Sequence, residues 1–145
     1  MSFKSLIMGM LRSWYLKEGS LERISPNDWV GYDQILYDET TRTLKIGGLQ
    51  PQVIVANVAD TGSMDGLLDF GHNVILTDNF EKSKLAVGDI IAYQVYTNLV
   101  LHRIVEIGND IQGRWYLTRG DNNIINDPYQ LRDANLKYLL IGIIY

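Results

Sequence analysis

Four consecutive residues, Thr61-Gly62-Ser63-Met64, set two hydroxyls two positions apart around a glycine. A serine hydroxyl is a weak nucleophile at neutral pH. To attack a carbonyl it needs a base within hydrogen-bond reach, a group that orients that base, and donors for the oxyanion. Gly62 leaves room for a close approach. In an extended backbone residues i and i+2 face the same way, which puts the Thr61 hydroxyl beside that of Ser63. Thr61 and the Ser63 amide would then serve the oxyanion. The candidate base is His102, in "LVLHRIVEI". Strand alternation sets it on the face of Val100 and Ile104, opposite Leu101 and Arg103. His72, in "DFGHN", falls in a turn and reads as exposed. Two carboxylates, Asp121 and Asp127, lie in "GDNNIINDP". Either can orient His102 and stabilise its imidazolium. Each segment also has a plain structural reading: a Gly/Ser/Thr loop, a core histidine, and an Asx-type turn stopped by Pro128.

The elements that must position these residues are strands. "QVIVANV", "NVILT", "DIIAYQVY", "LVLHRIVEI", "RWYLTR" and "YLLIGIIY" are short and rich in β-branched and aromatic residues, with Gly, Asn or Asp between them. "GYDQILYDETTRTLKIGG" predicts a hairpin turning at Asp38 to Thr41. Residues 3–17 differ. Phe3, Leu6, Ile7, Met10, Leu11, Trp14 and Tyr15 recur at the spacing of one helical face, while the other face carries Lys4, Arg12 and Lys17. Three roles fit such a helix: packing on the body, docking a partner protein, or lying peripherally on an anionic membrane. "SPNDW" is turn chemistry. The expected organisation is a helical arm over 1–28 and a β-rich body over 29–145, mostly β in class.

Composition removes several functions. An apolar content of 46% supports a real core. The absence of cysteine excludes disulfides, thiolate catalysis and cysteine-ligated zinc, and two histidines are too few for a histidine-rich metal site. No cofactor and no metal are therefore expected. A net charge of −4 argues against a nucleic-acid partner. No apolar run approaches the ~20 residues that span a bilayer. "SLIMGML" is short, is followed by Arg12 and lacks a cleavage site, so no transmembrane or secretory segment is expected.

Taken in order, "TGSM", "GDIIAY", "LHRIV" and "YLTRGDNNIINDP" resemble the signal peptidase I family of membrane-linked serine proteases. The likeness is to the archaeal and endoplasmic-reticulum branch, with its Ser-His-Asp set, more than to the bacterial branch with a lysine base. The family's S-G-S-M box is matched by Thr61, Gly62, Ser63 and Met64, with threonine for the first serine. Its HR strand is matched by His102 and Arg103. Its G-D-N-N…D-D box is matched by Gly120, Asp121, Asn122, Asn123, Asn126 and Asp127. The resemblance covers roughly Val53 to Tyr145. It implies Ser63 as nucleophile, His102 as general base, Asp127 as triad acid, Asp121 as a supporting carboxylate near the histidine, and Thr61 as oxyanion donor. It implies the coiled, mostly-β body that signal peptidases share with self-cleaving SOS-type repressors, and small residues before the scissile bond.

Two departures stand out. Gly66 occupies the place where the family usually has proline, and no transmembrane anchor is expected. The expected protein is a serine endopeptidase of cytoplasmic or virus-associated location, acting on an extended polypeptide. The substrate would pair beside "VIVANVA" or the strand of His102. Other roles on the same fold are a non-catalytic assembly or interaction module, for example viral, and a self-cleaving regulator.

Overall fold

In a computed structural model, residues 23–48 and 53–145 are described. The helix expected over 3–17 lies outside these residues. Every apolar run that the sequence marks as a strand within them becomes one. The body is a six-stranded antiparallel sheet of β3 (Val53–Asn57), β4 (Asn73–Thr77), β5 (Ile90–Val95), β6 (Asn98–Asp110), β7 (Gly113–Arg119) and β8 (Leu136–Ile144). Its spatial order is β3-β4-β8-β5-β6-β7. A separate hairpin joins β1 (Ile35–Asp38) to β2 (Thr43–Ile46). Its turn is fixed by the Asp38 carboxylate, which accepts the Thr40 and Thr41 amides at 2.9 and 3.1 Å. The helical pieces among the described residues are single 3-10 turns. None of them is long and apolar enough to cross a membrane.

Side-chain alternation divides the buried residues between the two faces of the sheet. Ile91, Tyr93, Ile104, Tyr116 and Leu139 pack on one face, and Val74, Leu76, Ile90 and Leu140 on the other with Met64 and Leu68. The register agrees, since Ile91 pairs with His102 and Ile104 with Thr118. Tyr93, His102 and Thr118 therefore share one face across three adjacent strands. Strand β7 pairs with β6 only from Arg103 onward. Among the described strands, Asn98–His102 are bonded to β5 alone. His102 thus stands where one edge of β6 opens. The far strand β3 is also an edge, paired with β4.

Residues 23–29 run without regular structure along the body and are held by Asp89. This carboxylate is fully buried. It accepts the Asn27 amide at 2.8 Å, the Trp29 indole N–H at 2.9 Å, the Ala86 amide at 2.9 Å and the Asn27 side-chain amide at 3.2 Å. A buried carboxyl group is tolerable when donors surround it in this way.

Candidate active site

Ser63 follows Asn57, the last residue of β3, by six positions. Gly62 has φ 64°, the left-handed region that glycine enters freely, and the Asp65 amide closes a turn on the Gly62 carbonyl at 3.3 Å. The two hydroxyls of Thr61 and Ser63 lie 3.2 Å apart. They meet across this turn and not along an extended strand, because the φ of Gly62 bends the chain between them. Below the loop, Met64 and Leu68 are buried in the core and anchor it. Gly66 has φ 90°, which a proline ring forbids, so the glycine at this position suits the backbone it has here.

A second segment locks onto this loop. The Asn122 amide donates to the Ser63 carbonyl at 2.9 Å, and its side-chain amide donates to the Gly62 carbonyl at 2.9 Å. The Asp121 amide meets the Met64 sulfur at 3.3 Å. Gly120 makes the approach possible. A Cβ there would be 2.4 Å from the Ser63 carbonyl oxygen and 3.0 Å from His102 Nε2.

His102 joins the pieces. Its Nε2 lies 3.0 Å from Ser63 Oγ and its Nδ1 lies 2.8 Å from Asp127 Oδ2. Burial pushes the Asp127 carboxyl up, but hydrogen bonds from His102, Thr118 and Tyr93 outweigh that and hold it below the usual carboxylate range. An ionised carboxylate only accepts, so the proton of a neutral imidazole belongs on Nδ1. Nε2 is then free to accept from Ser63. The arrangement is suited to taking a proton from a hydroxyl as it attacks a carbonyl.

The other residues singled out from sequence take different places. Asp121 does not face His102. It forms a two-point ion pair with Arg103, with Nε–H and the terminal N–H each 2.7 Å from a carboxylate oxygen. Strand alternation explains this, because Arg103 points away from His102. His72 is half-buried, accepts the Asp69 amide on Nδ1 at 3.0 Å and lies edge-on to Tyr145. Its expected exposure is therefore only partial. Tyr93 and Thr118, which read as ordinary strand residues in sequence, both donate to Asp127. Their signal was positional only: each alternates onto the face of His102. A cleft of about 650 Å³ opens beside Ser63, with Ala56, Val58, Leu76, Ala92 and Leu101 among its walls.

Comparison with known proteins gives one partial likeness. A stretch of 69 residues, 46% of this chain, is 33% identical to the signal peptidase complex catalytic subunit SEC11 of Lodderomyces elongisporus. The match spans 40% of that relative's length. No family model matches the chain. No solved structure matches it.

Proposed function

We propose that this protein is a serine endopeptidase of the signal peptidase I type. The observation that carries the proposal is the continuous line of hydrogen bonds from Ser63 through His102 to Asp127, at 3.0 and 2.8 Å. The likeness to a signal peptidase complex catalytic subunit supports the same reading. Ser63 Oγ attacks a peptide carbonyl while His102 Nε2 takes its proton. Asp127 stabilises the imidazolium, and His102 returns the proton to the leaving amine. Water then releases the acyl group by the same route. Asp121 acts at a distance, by fixing Arg103 and the segment that clamps the Ser63 carbonyl.

The substrate is an extended polypeptide. The open edge of β6 at Asn98–His102 offers main-chain hydrogen bonds, and the apolar cleft beside it receives alternate side chains. Small residues before the scissile bond are the expected preference. The test is labelling with a fluorophosphonate, which reacts with an activated serine. The wild type should form one covalent adduct that Ser63→Ala does not. Equal labelling of both, or none of either, would sink the peptidase reading in favour of a non-catalytic module.

Two further outcomes follow from the geometry. Thr61→Val keeps the shape but removes the hydroxyl at the oxyanion position, and should lower kcat by about 10²- to 10³-fold with KM little changed. Steady-state kinetics on a cleaved peptide reads this. Gly120→Ala should lower turnover by about 10²-fold, since its Cβ must displace the Ser63 carbonyl or the His102 ring, and displacements near 1 Å cost that much. Circular dichroism of the same variant should show the sheet intact.

A further inference from the structure

Asp127 meets its partners through a single oxygen. Oδ2 accepts from His102 Nδ1 at 2.8 Å, from the Tyr93 hydroxyl at 2.8 Å and from the Thr118 hydroxyl at 2.6 Å. The three donors come from β6, β5 and β7 on the same face of the sheet. The Asp127 amide also donates to the Thr118 carbonyl at 2.8 Å, so Thr118 holds both ends of this residue. Both hydroxyl-bearing side chains are buried, and neither touches Ser63 in the hydrogen-bond network described above. The Tyr93 ring stands edge-on to His102 with centroids 6.4 Å apart.

We propose that Tyr93 and Thr118 are positioning residues that fix Asp127 through one oxygen and limit how strongly it holds a proton on His102. The inference deepens the peptidase reading and rests on it for its meaning in catalysis. Its physical basis is competition. A carboxylate oxygen shared among three donors offers less charge to each than one with a single donor. Without the hydroxyls, Asp127 would favour the imidazolium more and His102 would stay protonated to higher pH. A base that is protonated cannot accept from Ser63.

The other charged and titratable groups around His102 are few. Arg103 follows it in β6 but points to the opposite face, against Asp121. Asp65 and Asp69 line the cleft on the Ser63 side. Tyr129, two residues after Asp127, is close enough to act on the Tyr93 phenol. Burial pushes the Tyr93 phenol well above its ordinary value, so it remains a donor throughout the working range.

The test compares Tyr93→Phe, Thr118→Val and Thr118→Ser with the wild type by two readouts. One is kcat/KM against pH. The other is NMR titration of the imidazole, which needs no turnover. The chain has two histidines, so a His72→Gln background leaves one resonance to follow. Tyr93→Phe and Thr118→Val should each move the imidazole midpoint and the acidic limb of kcat/KM upward by about 0.5 pH unit. Thr118→Ser keeps the hydroxyl and should leave both unmoved. The plateau kcat should fall by no more than about tenfold in each variant. Midpoints that stay put in both Tyr93→Phe and Thr118→Val, or that move down, overturn the inference. Absence of Ser63-dependent hydrolysis would instead sink the peptidase reading, while the imidazole titration would still decide the role of the two hydroxyls.

Discussion

Ser63→Ala should lower kcat by about 10⁶-fold, His102→Ala by a similar factor, and the double variant by no more than either alone. The expectation comes from the shared step. Ser63 Oγ and His102 Nε2 lie 3.0 Å apart, and in the proposed mechanism they pass one proton between them, so removing either partner removes the step. Independent contributions would instead multiply, and the double variant would fall below detection. Single-turnover kinetics on a chromogenic peptide, with the three variants in parallel, separates the outcomes. Folding should survive, because Ser63 is only half-buried and truncation leaves no buried charge without a partner. A Ser63→Ala enzyme that turns over within tenfold of the wild type would require a different nucleophile.

The second large effect is on stability. Asp121→Ala should destabilise the fold by about 3–5 kcal/mol, because it leaves a buried guanidinium without its counter-ion. The Asp121 side chain is 3% exposed and that of Arg103 is 9% exposed. Arg103 also donates through Nη1 to the carbonyls of Gly88 at 2.8 Å and Ile24 at 3.1 Å, so it cannot swing out to water without breaking both. Paired replacement by Arg103→Met and Asp121→Leu should cost less than the single change, since no charge is then stranded. Urea denaturation of the two variants decides the order. A single variant as stable as the wild type would mean that water reaches Arg103. Turnover should also fall in Asp121→Ala, because residues 120–123 hold the Ser63 loop through Asn122.

The strands were legible because short apolar runs bounded by Gly, Asn and Asp have few alternatives, and "NVILT" is β4 residue for residue. Which carboxylate meets the histidine was not legible from spacing alone. Asp121 and Asp127 both follow β7 by a few residues, and only the loop path decides. Asp127 returns to the strand because its amide bonds the Thr118 carbonyl, whereas Asp121 is drawn to the other face by Arg103. The resemblance to signal peptidases had favoured Asp127 for the triad, and it had put Asp121 near the histidine. Tyr93 and Thr118 were hidden for another reason. A tyrosine or threonine in a strand is ordinary core material, and its hydroxyl gains meaning only when the partner is known. The turn at Gly62 was equally hidden, since the sign of a glycine's φ is not written in its neighbours.

Edge strand β3 leaves Val53 39% and Val55 63% exposed, next to backbone groups that no described strand pairs on that side. Such a rim is open to pairing with another copy of the protein. Concentrated solutions should therefore form oligomers that stain like cross-β assemblies, and a lysine introduced at Val55 should keep them dispersed. Storage behaviour and shelf life would be governed by this unpaired rim.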